Sequence, residues 1–179
     1  MTADVFYETD RCLVRNWRAG DAERVFDIYR RWEVSKWLGA EPKAMESLDA
    51  ARRLVERWGE LNRTETDTGR WAVERKDTGA VAGTVILLPL PEGNGEFEVG
   101  WHFHPDAWGQ GLATEAARGA ITWGFARGLD EILAVVRPDN AASIAVCHRL
   151  GMTPLGRTTR YYQAVLELFR TTPEDHSDR

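Results

Sequence analysis

The apolar residues of this chain switch between a period near two and a period near 3.6, and the switches lay out an order of elements. "RCLVRNW" (11–17) alternates as a strand does, with Cys12, Val14 and Asn16 on one face. "AGDAERVFDIYRRW" (19–32) then places Val25, Ile28, Tyr29 and Trp32 at i, i+3, i+4 and i+7, a single helical stripe with Asp21 near its start. "SLDAARRLVERWGEL" (47–61) repeats the pattern with Leu48, Ala51, Leu54, Val55 and Trp58. "RWAVERKDTGAVAGTVILL" (70–88) reads as two strands around a tight "KDTG" turn, and "EFEVGWHFH" (96–104) as a third. A long helix over 112–127, a buried strand "EILAVVR" (131–137), a short helix within "PDNAASIAVCHRLG" (138–151) and two strands, "TPLGRTT" and "QAVLELFR", complete the series. The short helix has Asp139 or Asn140 to cap its start and Gly151 to end it.

These elements predict one mixed α/β domain over residues 1–179, with a core of 9–170 and a polar tail, 171–179, expected to fray. The length suits one substantial core, and composition adds exclusions. A net charge of −5 speaks against general nucleic-acid binding. No stretch reaches the length of a membrane span, and the opening residues have no signal-peptide core, so neither a membrane nor export is expected. Cys12 and Cys147 lack a paired spacing and read as free thiols of a reducing cytoplasm. The histidines, at 102, 104, 148 and 176, form no metal-ligand pattern, so no metal is expected.

The most informative stretch is "HPDAWGQGLATEAARGAITWGF" (104–125), where a strand runs into a glycine-rich turn and a helix begins at once. Such a junction leaves backbone N–H groups unpaired and adds the positive end of a helix dipole, which suits a phosphate. A Walker loop is excluded because no Gly-Lys-Ser/Thr follows Gly109 or Gly111. A Rossmann fingerprint is excluded because Thr114 stands at the third glycine position.

"AWGQGLATEA", with "EVGWHFHP" before it and "NAASIAVCHRLGM" about thirty residues later, resembles the GCN5-related N-acetyltransferase (GNAT) superfamily. Within it, the opening "TDRCLVRNWRAGDAERVF" is similar to the branch holding the ribosomal-protein N-terminal acetyltransferases. The resemblance covers about residues 9–170 and implies a mostly antiparallel sheet of about seven strands, flanked by about four helices and splayed between the fourth and fifth strands. It implies acetyl-CoA as co-substrate, with the pyrophosphate signature on Trp108, Gly109, Gln110, Gly111, Leu112 and Ala113, and Thr114 adjoining; Trp108 stands where the signature usually has Gln or Arg. The pantetheine arm would run beside Trp101, His102 and Phe103, along a strand broken by a bulge; Gly100, inside that strand, independently suggests a bulge or a close backbone approach. Arg118 and Arg149 are candidate cations for the polyanion.

Amide formation needs a neutral amine, and at pH 7 only roughly 10% of an α-amine and about 0.04% of a lysine side chain is neutral. A positioned carboxylate helps either. Glu96 and Glu98 share a strand face, and the resemblance favours Glu98; His102, on the same face, is a weaker base. The tyrosine that many superfamily members use to protonate the thiolate is replaced here by Cys147. Asn140, Ser143 and Cys147 fall on one helix face, so Asn140 reads as a coenzyme ligand or helix cap, and Ser143 as the thiolate's hydrogen-bond donor or a plain first-turn residue. By analogy the acceptor pocket draws on Trp32, Trp37, Tyr161 and Tyr162, together with Glu98. The expected activity is acetyl transfer to a primary amine by direct attack, the acceptor being a peptide N-terminus or a small molecule such as a polyamine, an amino acid or an antibiotic. A silent acyl-CoA-binding module is the alternative, and a monomer or homodimer is expected.

Overall fold

The computed structural model describes residues 4–177. Eight strands form one sheet: β1 (Val5–Glu8), β2 (Cys12–Arg15), β3 (Gly69–Arg75), β4 (Val81–Pro89), β5 (Phe97–Phe103), β6 (Ile132–Val136), β7 (Thr153–Thr158) and β8 (Leu166–Thr171). The spatial order is β1-β2-β3-β4-β5-β6-β8-β7, and every pairing is antiparallel except β5 with β6. Six helices accompany them: α1 (Ala22–Tyr29), α2 (Trp32–Ser35), α3 (Leu48–Thr64), α4 (Leu112–Phe125), α5 (Ala141–Arg149) and α6 (Pro173–Ser177).

The seven strands read from the alternation are all present, and the eighth is the four-residue β1. Nothing in "VFYE" alternates long enough to announce a strand. Its place comes from packing: Tyr7 Oη donates to the Ala116 carbonyl of α4 at 2.6 Å, and Phe6 lies 5.3 Å from the Trp71 ring. The four expected helices become six through two short ones. α1 ends at Tyr29, which breaks the expected stripe; Trp32 restarts the chain in α2 and is 55% exposed. Past residue 170 the chain continues the fold. Thr171 closes β8, and α6 docks on α4 through His176 Nε2 and Thr122 Oγ1, 2.7 Å apart. Residues 178–179 of the expected frayed tail lie outside the described residues.

Two apolar layers cover the sheet. α4 fills one side, where Trp71 and Trp123 meet edge to face at 4.9 Å amid Val85, Leu87, Ala116, Ala120 and Ile121. α1 and α3 fill the other with Val25, Ile28, Ala51 and Val55. Local signals set the helix ends: Ser47 accepts from the Ala50 amide, and Gly151, at φ +75°, ends α5 in a left-handed turn.

The feature that matters most for function is the join between β5 and β6. The two strands share one paired position, Glu98 with Leu133, and then diverge. On its other side β5 is paired with β4 from Phe97 to Phe103 without a shift of register. The bulge expected near Gly100 is therefore absent from that ladder. The glycine serves close approach instead: a Cβ there would stand 2.9 Å from Ile86 Cγ1. Beyond Glu98 the free edge of β5 faces an opening.

Candidate active site

That opening is bounded by the junction expected to bind an anion. β5 ends at Phe103, and the next residue, His104, accepts through Nδ1 from the Asp106 amide at 3.1 Å and fixes a single turn at 105–107. Gly109 and Gly111 then take φ +71° and +77°, which a side chain would resist, and α4 starts. Among the described residues, none of the backbone N–H groups of 109–114 donates to a carbonyl or side chain; the first helical bond runs from Glu115 N to Gly111 O. Glu115, an acid that would oppose an anion here, is neutralised by Arg11, 2.7 Å away. The junction is a row of main-chain donors, with Glu115 paired to Arg11 and Asp106 to Arg24.

A cavity of about 740 Å³ extends from this row. Trp101, His102 and Phe103 of β5 form one wall, Asn140 and Ser143 of α5 another, and Trp108, Gly109, Gly111, Leu112, Ala113 and Thr114 the end. Thr114 Oγ1 is a buried hydroxyl without a partner among the described residues. Lys36 and Arg149 add cationic groups to the lining. Volume, unpaired donors and open strand edge together fit a long polar coenzyme with a phosphate at one end. Asn140 is at the same time the α5 cap, its Oδ1 accepting from Ser143 N at 3.2 Å.

A second, smaller cavity of about 160 Å³ meets the first: Trp37, Leu38, Trp101, His102, Asn140 and Ser143 line both. Its only carboxylate among the described residues is Glu98. Glu98 is 5% exposed, and burial pushes its carboxyl up to about 7, an effect partly offset by the hydroxyl of Tyr162, which donates to Oε1. His102 is pushed the other way by burial, down to about 4, so its ring is neutral near pH 7; its Nδ1 lies 3.0 Å from Tyr29 Oη. A buried carboxyl thus lines the smaller cavity, and a neutral imidazole lines both.

The model of the acetyltransferase (GNAT) domain matches residues 11–153. The chain belongs to the GNAT acetyltransferase family. It is 32% identical over 155 residues to an uncharacterized N-acetyltransferase of Bacillus subtilis (strain 168), YoaA, a match covering 86% of each chain. In fold it is similar to a putative ribosomal-protein-serine acetyltransferase from Vibrio cholerae, with a TM-score of 0.78 at 20% identity, over 97% of this chain and 99% of that one. It is also similar to the microcin C7 self-immunity acetyltransferase MccE, solved with acetyl-CoA and AMP, with a TM-score of 0.74 at 16% identity over 91% and 93%. GNAT acetyltransferases use acetyl-CoA, so this chain is an N-acetyltransferase with that co-substrate.

Against this GNAT background, most residues expected at the site from sequence do reach one of the two cavities. Four positions depart. Gln110 turns outward, its amide donating to the Asp106 carbonyl at 2.8 Å and its oxygen accepting from Arg75 at 2.9 Å. Tyr161 is 3% exposed and sits in the core with Leu90, Leu133 and Leu166, whereas its neighbour Tyr162 lines the smaller cavity. Trp32 lines neither cavity. Of the two candidate cations, Arg149 lines the larger cavity, while Arg118 donates to the Arg149 carbonyl at the end of α5. Glu96, the alternative to Glu98, is held by Arg160 at 2.8 Å. Lys36, Ile86 and Arg137 line the cavities without having been singled out; only the neighbouring Trp37 pointed toward the first of them.

Proposed function

We propose that this chain transfers the acetyl group of acetyl-CoA to a primary amine by direct attack, with Glu98 as general base and Ser143 as hydrogen-bond donor to the departing sulfur. The observation that carries the reading is the meeting of two cavities, a larger one ending on unpaired N–H groups and a smaller one holding a buried carboxylate. In this assignment the main chain of 109–114 receives the pyrophosphate, and the open edge of Trp101–Phe103 receives the pantetheine amides. Glu98 takes the proton that the amine must lose, and Trp37, on both linings, holds the acceptor against the thioester. Cys147 supports direct attack: it is fully buried among apolar residues, lines neither cavity, and burial pushes its thiol up to about 12.

Loss of the proton is easier from an α-amine than from a lysine-like one whatever the base, and a carboxyl near 7 keeps the first cost small. Taking a proton from an α-ammonium, about 7.7–8.0, costs roughly 1 kcal/mol, and from an alkylammonium, about 10.4, roughly 5 kcal/mol. A polyamine would also bring further charges to a small cavity with one carboxylate. The reading is therefore a peptide or protein N-terminus; the Vibrio cholerae neighbour is named as a putative ribosomal-protein-serine acetyltransferase, and the two free cysteines suit a cytoplasmic setting. A panel of free and N-blocked peptides, lysine amides and polyamines, read by thiol release from acetyl-CoA, tests it. Free peptides should release thiol fastest. Turnover of polyamines alone would overturn the acceptor class, and no amine-dependent release would leave an acyl-CoA-binding module.

A further inference from the structure

The connection between β7 and β8 is tied down in an unusual way. Four consecutive side chains reach three glutamates across the cleft: Arg160 Nη1 pairs with Glu96 Oε1 at 2.8 Å, Tyr161 Oη contacts the same oxygen at 3.5 Å, Tyr162 Oη donates to Glu98 Oε1, and Gln163 Nε2 donates to Glu92 Oε1 at 3.2 Å. Three non-glycine residues have left-handed backbone among the described residues: Glu92 (φ 61°), Tyr162 (φ 55°) and Gln163 (φ 50°). All three belong to this contact. Side chains resist that conformation, so it persists only where the surroundings hold it. Its effect is to separate two adjacent tyrosines, Tyr161 into the core and Tyr162 into the smaller cavity.

We propose that Tyr162 is a positioning residue for Glu98, its hydroxyl holding Oε1 so that Oε2 alone is presented to the acceptor amine. The proposal rests on the reading of Glu98 as base. Among the described residues Tyr162 is the only hydrogen-bond partner of the Glu98 carboxylate, and Oε2 accepts from no group. Among the described residues, none of the other titratable and polar groups facing the cavity hydrogen-bonds the Glu98 carboxylate. His102, on the same strand, is neutral near pH 7; Arg137, at the end of β6, donates to the Gly39 carbonyl at 2.7 Å; Asn140 and Ser143 of α5 are joined through the helix cap. Burial and the neighbouring carboxylate raise the Tyr162 phenol, so it stays a donor throughout the working range.

Tyr162→Phe removes the bond and keeps the ring. It stabilises the ionised carboxylate in the wild type, so its loss should raise the Glu98 titration midpoint by about one pH unit, read by carbon-13 NMR of the glutamate carboxyls with Glu98→Gln giving the assignment. With it, kcat at pH 7 should fall about tenfold, roughly fivefold of it from lost ionisation and the rest from lost positioning, so that a deficit of about twofold persists at pH 9; KM for acetyl-CoA should stay within about twofold. A deficit that vanishes by pH 9, or a kcat equal to wild type throughout, overturns the positioning role of Tyr162. A fully active Glu98→Gln overturns the base assignment itself, and this proposal with it, whatever the titration shows.

Discussion

The two cavities of this acetyltransferase are built from different material. The larger is made of main chain, a helix start with two left-handed glycines and a strand edge released by a single-position pairing. The smaller is made of side chains delivered by distant segments, Trp37 after α2, Glu98 on β5 and Tyr162 between β7 and β8. A backbone site keeps its donors under most substitutions and is broken by those that change φ or fill space. A side-chain site loses its chemistry when one functional group is removed, while its shape survives. The first is suited to a coenzyme common to many enzymes, the second to an acceptor that differs between them.

The sharpest test of that contrast is Glu98→Gln. It should lower kcat by roughly 10²–10⁴ with acetyl-CoA affinity nearly unchanged, and the loss should shrink at high pH as the amine deprotonates unaided. A loss of under threefold at pH 7 would break the assignment. Gly111→Val should act oppositely, weakening acetyl-CoA binding about 100-fold or more through lost phosphate contacts. Gly111→Asn, which tolerates left-handed backbone, separates obstruction from strain. Unchanged affinity in a folded Gly111→Val protein would remove the phosphate from this loop.

Smaller effects sharpen the boundary between the cavities. Ser143→Ala should lower kcat about tenfold, the worth of one hydrogen bond to developing charge, with little change in coenzyme binding. Cys147→Ala should leave kcat unchanged and cost only packing stability; an inactive variant with acetyl-cysteine trapped in the wild type would overturn direct attack. The last effect is on stability. Because Glu98 is raised from 4.5 to about 7 in the fold, its favourable neutral form is fully retained below its unfolded value and lost as pH rises through 7. Glu98→Gln should therefore be the more stable protein at pH 8, by on the order of 3 kcal/mol, with the gap closing toward pH 4. Thermal melts across that range check the sign.

The backbone cavity was the more legible in the sequence, because its signals are local: Gly109 and Gly111 between a strand and a helix, and Asn140 ahead of a short apolar helix. The Gln110 main chain belongs to the row of donors, whereas its side chain is claimed by Arg75 and by the Asp106 carbonyl, partners that spacing does not reveal. The side-chain cavity was legible only in part. Strand alternation placed Glu96 and Glu98 on one face, but their difference lies in Arg160, which holds one and leaves the other buried. "RYYQ" offers two neighbouring tyrosines and no glycine, so nothing local announces the left-handed turn that parts them. β1 and the break at Trp32 were missed for a related reason, since short segments take their conformation from what they pack on.

Both cysteines are fully buried, and burial raises both thiols. Alkylation of either then waits for the chain to open, which makes the rate of modification a clock for unfolding. A ligand that binds only the closed chain slows that clock in proportion to 1 + [L]/Kd. Coenzyme affinity becomes measurable in variants that no longer turn over, Glu98→Gln among them, from nothing more than the time a thiol stays hidden.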